Sequence, residues 1–282
     1  MGLPVLILGF SGSGKSSSMR NFKPDELALV NVNGKFLPFR GGFTETLNSD
    51  DFEKIKSFMS SAKAKAVVVD DSQYLMLNEF MRRSKEKGYD KFTEIAEHFW
   101  NLIRYIEQLP QDVIVYFLHH IESGEDGRLK AKTVGKLLDE KVNIEGMFSI
   151  VLRTSVSENG YQFLTQTDGN DCCKSPAGMF AGYAIPNDLR LVDESIRTFY
   201  GLVPEQRCAD CGAVIMPTAK RGVAELTAAS TAKFGRVLCA ACATNEIARK
   251  QDVCAVAPKG GTMPPTEGNR QEAENAAATV SE

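Results

Sequence analysis

The sequence predicts an α/β fold with a mostly parallel central sheet, followed by a small cysteine-bearing unit and a disordered tail. Three observations carry this expectation. Short, apolar, β-branched runs at residues 3–8, 26–32, 66–70 and 113–118 have the composition of buried parallel strands. A helical pattern fills the interval 72–108, broken near Gly88, with Phe92, Ile95, Phe99, Leu102, Ile103 and Ile106 at three- and four-residue spacing. Strands that alternate with helices build a sheet covered on both faces. Beyond that region, four of the seven cysteines stand as Cys208-x-x-Cys211 and Cys239-x-x-Cys242.

The first strand runs directly into Gly9-Phe10-Ser11-Gly12-Ser13-Gly14-Lys15-Ser16. This spacing suits a cradle for the phosphates of a nucleotide. Glycines let backbone N–H groups turn toward an anion without Cβ clashes. Lys15 is placed to reach the β- and γ-phosphates, and the Ser16 hydroxyl to ligate Mg²⁺. A helix expected over 17–22 would point its positive end at the same anion. Gly9, Ser11, Gly12, Ser13, Gly14, Lys15, Ser16 and Ser17 are therefore the candidate ATP-binding residues.

The strand 66–70 ends in Val69-Asp70-Asp71. An acid leaving a central strand beside such a loop holds Mg²⁺, which fits Asp70. Asp71 is the candidate to orient or activate the attacking water, or else it caps the helix that follows. The next strand ends in His119-His120, at the sheet edge where ligands bind, so either is a candidate γ-phosphate sensor. Later strands are expected at 147–153 and 161–165, joined by a turn at Glu158-Asn159-Gly160. Residues 168–187 read as an irregular loop, and 188–200 as a closing helix capped by Asn187 or Asp188.

Two basic stretches stand out, and the first is a candidate contact for a single strand's phosphates, or else a solvated face. The first, 122–136, is read as a mobile loop; the second is the cluster Arg82, Arg83, Lys85 and Lys87 in the helix after Asp70. Arg153 is a candidate arginine finger toward a neighbouring subunit. The paired cysteines are the ligands expected of a structural Zn²⁺, since two tight turns can each supply two thiolates. Cys172, Cys173 and Cys254 have no evident partners.

The chain divides by composition into residues 1–202, 203–250 and a tail, 251–282, poor in core-forming residues. The net charge is -3, and the segment after Pro265 carries four glutamates against Arg270, leaving the rest about neutral. That balance neither supports nor excludes nucleic-acid binding. No apolar run approaches the roughly 20 residues that span a bilayer. No basic stretch precedes an apolar signal core. A cytoplasmic protein without membrane contact is expected.

Several stretches taken together resemble the short RecA-like P-loop ATPases encoded by bacteriophages, a group linked to single-strand annealing and homologous recombination. They are Gly9 to Ser16; Val69-Asp70-Asp71-Ser72-Gln73-Tyr74-Leu75 with Asn78-Glu79-Phe80-Met81; residues 87–92; 133–141; Val151-Leu152-Arg153-Thr154; 174–180; and Ile185-Pro186-Asn187-Asp188-Leu189. The resemblance covers most of residues 1–200 and neither the cysteine unit nor the tail. It implies an ATP- and Mg²⁺-binding core in the host cytoplasm, acting on single-stranded DNA as a homo-oligomer. A single-strand-binding or other replication protein is an implied partner. Lys15, Asp71 and His119 are the catalytic candidates. The sequence departs from RecA-type recombinases at Asn31-Val32-Asn33-Gly34-Lys35, where those enzymes carry a catalytic glutamate. ATP binding is thus better supported than turnover. An ATP-dependent regulator or assembly factor with protein partners is the alternative reading.

Overall fold

The structure is a computed structural model that describes residues 1–158, 160–218 and 220–255, with side chains to 249. Contacts divide the chain into Met1–Cys239 and Ala240–Glu282. The described part of the second unit is one helix, α6 (Ala240–Ala255). Of the tail expected to be disordered, 251–282, residues 251–255 instead complete α6, and the remainder from 256 lies outside the described residues.

The first unit is built on a sheet of β1 (Leu3–Gly9), β2 (Leu27–Asn31), β3 (Glu45–Leu47), β4 (Ala66–Asp70), β5 (Ile114–Ser123), β6 (Leu129–Ala131), β7 (Ile150–Ser157), β8 (Gly160–Leu164) and β9 (Ala184–Pro186). The order is β3-β2-β4-β5-β1-β7-β8-β9, with β6 on the extension of β5. All pairings from β3 to β7 are parallel, and β8, β9 and β6 join antiparallel. The chain is therefore α/β with a mostly parallel mixed sheet.

Side chains alternate across the sheet with the two-residue period of a strand, and both faces are apolar. Leu6, Leu8, Val67, Val69, Val115 and Phe117 face one layer with α1 (Phe52–Ser61), α2 (Gln73–Arg82) and α3 (Asp90–Tyr105). That layer receives Ile55, Met59, Leu75 and Met76, together with Ile95, Phe99, Leu102, Ile103 and Ile106 of the stripe visible in the periodicity. Val5, Ile7, Val68, Ile114 and Tyr116 face the other layer, where α4 (Leu189–Phe199) contributes Leu189, Val192 and Ile196. Asp188 caps α4 by accepting from the amides of Arg190 and Leu191.

Three local expectations are corrected. Residues 122–136 include a β-hairpin: β5 runs on past the sheet edge, turns at Gly127 (φ +79°), and pairs with β6. The stretch 168–187 contains β9, which pairs with β8. The helix expected over 17–22 is a short 3₁₀ turn, Ser16–Asn21. Three serines favour local hydrogen bonds over a helix interior, and Pro24 lies three residues past its end. Among the described residues, no helix is long and apolar enough to cross a membrane.

Candidate functional site

The carboxyl ends of β1, β4 and β5, with the turn after β2, meet in one crevice lined by Gly12, Gly14, Lys15, Ser16, Lys35, Asp70, Asp71, Tyr74 and His120. Register explains the convergence. Gly9 at the end of β1 pairs with His120, and Asn31 at the end of β2 pairs with Asp70.

The glycine-rich loop is packed tightly from behind. A Cβ on Gly9 would lie 1.9 Å from Thr154 Oγ1 and 2.5 Å from Ser13 Oγ, so only glycine fits there. Gly14 has φ +95°, and a Cβ on it would meet the Tyr161 ring at 2.8 Å. Ser13 Oγ is 2.6 Å from Thr154 Oγ1, whose hydroxyl also lies 3.1 Å from the Leu8 carbonyl. Among the described residues, no backbone carbonyl accepts from the amides of Gly12, Gly14 or Lys15. Loop amides left open at a crevice are suited to an anion.

Lys15 folds back into its own loop, donating from Nζ to the carbonyls of Gly9 (2.8 Å) and Phe10 (2.9 Å). Its burial lowers the ammonium pKa to about 8, against the opposing pull of Asp71 and Asp70. The Ser16 hydroxyl donates to Asp70 Oδ1 at 2.9 Å. Burial, reinforced by the neighbouring Asp71 charge, raises the Asp70 carboxyl to about 6. Asp71 stands in the left-handed region at φ +59°, uncommon for a residue with a side chain. Its carboxylate accepts from Lys35 Nζ (2.6 Å) and Asn33 Nδ2 (3.0 Å), and lies 3.3 Å from His120 Nε2. Burial would raise its pKa, but the hydrogen bonds from His120, Lys35 and Asn33 prevail and hold it well below the usual range. The pocket thus sets two ammonium groups and a row of amides against two carboxylates of unlike basicity. That arrangement can grip a polyphosphate and a divalent ion together.

No family model matches the chain, and no curated protein matches it significantly. The functional reading therefore rests on the residues themselves.

Of the sequence-predicted residues, Gly9, Ser11, Gly12, Ser13, Gly14, Lys15, Ser16, Ser17, Asp70 and Asp71 gather at this edge. His119 does not enter the crevice. It is fully buried, with Nε2 donating to the Lys132 carbonyl (2.8 Å) and Nδ1 at 2.9 Å from Ser72 Oγ. His120 takes the exposed side of the strand. Arg153 is committed to Asp171 at 2.6 Å, which speaks against an arginine finger. In the helical basic cluster, Arg82 pairs with Asp50, and Arg83 with Glu79, Glu86 and Glu94. In the hairpin region, Lys130 pairs with Asp139 and Lys136 with Glu140. Sequence reasoning missed Asn33 and Lys35. The signal was their place in the turn leaving a buried strand.

Buried His119 makes stability depend on pH. Burial lowers its pKa from 6.5 to about 4. Between those values the unfolded chain binds the extra proton, so this group's contribution is lost as pH falls. Asp70 opposes it. With a folded pKa raised from 3.8 to about 6, its contribution is lost as pH rises through nearly the same window. Asp70→Asn removes the counterweight. Its melting temperature is expected to fall more steeply than wild type between pH 6.5 and 4, and equal slopes would refute the assignment.

The other sequence-predicted cluster is the cysteine set. The sulfurs of Cys208, Cys211, Cys239 and Cys242 all lie within 4.8 Å of one another. Cys242 follows Cys239 by one helical turn of chain. A tetrahedral zinc with bonds of about 2.3 Å needs sulfurs about 3.8 Å apart, and Cys211 and Cys239 stand at 3.7 Å. Backbone amides of Cys239, Cys211 and Asp210 favour the thiolate at Cys208, lowering its pKa to about 6. The donor set fits a structural zinc. Cys172 and Cys173 lie apart, their thiols pushed up by burial, that of Cys172 to about 12 and that of Cys173 well above the usual thiol range. Cys254 lies outside the described side chains.

Proposed function

We propose that the chain is an ATP-binding, ATP-hydrolysing protein of the phage RecA-like type that acts on single-stranded DNA in annealing or strand exchange. The observation that carries the nucleotide part is the contact between Ser16 Oγ and Asp70 Oδ1, beside buried Lys15. These residues come from two motifs 54 positions apart, and they meet at the one edge of a parallel sheet where ligands bind. Lys15 and the loop amides would hold the phosphates, and Ser16 with Asp70 would hold Mg²⁺. The metal would supply charge neutralisation at the phosphates. Asp71, held in its weakly basic form by three donors, suits orienting a water better than taking its proton. The nucleic-acid part rests on the resemblance of residues 1–200.

The test is ATP hydrolysis with and without a single-stranded oligonucleotide, with DNA binding followed as salt is raised. Stimulated hydrolysis and affinity that falls steeply with salt are expected, because phosphate contacts release counterions. Hydrolysis without any DNA binding would transfer support to the protein-partner reading.

A further inference from the structure

We infer that Lys35 is a second phosphate-binding cation, parked on Asp71 in the free protein and delivered to the terminal phosphate when a triphosphate enters. This inference rests on the nucleotide reading above and extends it to how the site would tell triphosphate from diphosphate.

The backbone aims Lys35 at the crevice. Asn31, the last residue of β2, clamps it from both sides. Asn31 Nδ2 donates to the Lys35 carbonyl (2.7 Å), and the Lys35 amide donates to Asn31 Oδ1 (3.2 Å). The side chain then passes the Tyr74 ring, with Nζ 5.0 Å from its centroid, and ends 2.6 Å from Asp71 Oδ2. Lys35 and Lys15 line the same pocket. Lys15 rises from β1, while Lys35 comes from β2, beyond β4 and β5 in the sheet order. A polyphosphate whose inner groups sit on the loop amides would project its terminal group toward Asp70 and Asp71, which is toward Lys35.

The pair with Asp71 is suited to being exchanged. The Lys35 side chain is 60% exposed while that of Asp71 is 14% exposed, and ion pairs with an exposed member contribute little. Asp71 keeps Asn33 and His120 as partners when Lys35 leaves. The Asn31 clamp fixes the Lys35 backbone, so Nζ can move by side-chain rotation alone. Charge balance points the same way. With Lys35 removed, one ammonium faces two carboxylates, and an incoming anion meets a pocket of its own sign.

The experiment is calorimetry of wild type, Lys35→Ala and Lys35→Arg with Mg-ATP and with Mg-ADP. In Lys35→Ala, ATP affinity is expected to fall about tenfold while ADP affinity changes less than about twofold, and Lys35→Arg is expected to recover most of the loss. Unchanged melting temperatures would accompany this result. Equal losses for both nucleotides, or affinities in Lys35→Ala unchanged from those of a wild type that binds ATP, would overturn the role of Lys35 and leave the nucleotide reading standing. A wild type that binds neither nucleotide would overturn both.

Discussion

Lys15→Ala is expected to lower the affinity for Mg-ATP by about a hundredfold and leave the folded protein intact. The ammonium is the one buried cation in the crevice, placed where two phosphate groups would share it. Charge-assisted hydrogen bonds are each worth about 1.5–3 kcal/mol. Among the described residues its hydrogen-bond partners are the Gly9 and Phe10 carbonyls of its own loop. Removing the amine relieves a desolvated charge and leaves the Gly9 carbonyl without that donor, two changes of opposite sign. The melting temperature should therefore move by a few degrees at most. Calorimetry adds a second readout. With a free-state pKa of about 8, roughly half the chains at pH 8 carry a neutral amine. Phosphate stabilises the charged form, so binding at pH 8 should take up protons, seen as heats that vary with buffer ionisation enthalpy. In Lys15→Ala that uptake should vanish. Wild-type affinity in the variant would remove the loop from the site.

Most of the sheet was legible because buried parallel strands are written as continuous apolar runs. β1, β2 and β4 fall within a residue or so of expectation. The stripe on α3 was legible because Ile95, Phe99, Leu102 and Ile103 sit on one face of a long helix. What was missed is short or tertiary. β3 is three residues whose pairing with β2 has no periodicity to show. The signal for α1 was present, with Asp51 capping through the amides of Glu53 and Lys54 ahead of apolar Ile55 and Met59. β6 exists because β5 overshoots the sheet and needs a partner, and strand length beyond an edge is not encoded locally. In the site, motif residues were legible because a phosphate cradle constrains spacing. Lys35 and Asn33 were not, since they act on Asp71 across 36 and 38 positions of chain. The His119–His120 choice was equally hidden. Which of two neighbours faces the core depends on strand phase, and β5 turns His119 inward.

Metal removal should have its largest effect on residues 203–239. That segment has little else to hold it. Among its described hydrophobic side chains, Cys208, Ile215 and Leu238 are buried, and one of these three is itself a ligand of the cysteine cluster. A core that thin cannot offset the conformational entropy of ordering the segment, whereas a structural zinc supplies about 10–16 kcal/mol of apparent binding free energy near neutral pH. Purified protein is expected to carry one zinc per chain by elemental analysis. Stripping it with a strong chelator should abolish amide protection across 203–239 in hydrogen exchange and leave β1, β4 and β5 protected, because their apolar contacts owe nothing to the cysteines. Cys239→Ser should give the same pattern without chelator. The alternative use of two Cys-x-x-Cys pairs is a redox couple, and it predicts the reverse: no metal, chelator without effect, and thiol accessibility that changes with oxidant. A metal-free protein whose 203–239 amides stay protected would show that the sulfur cluster is held by packing alone.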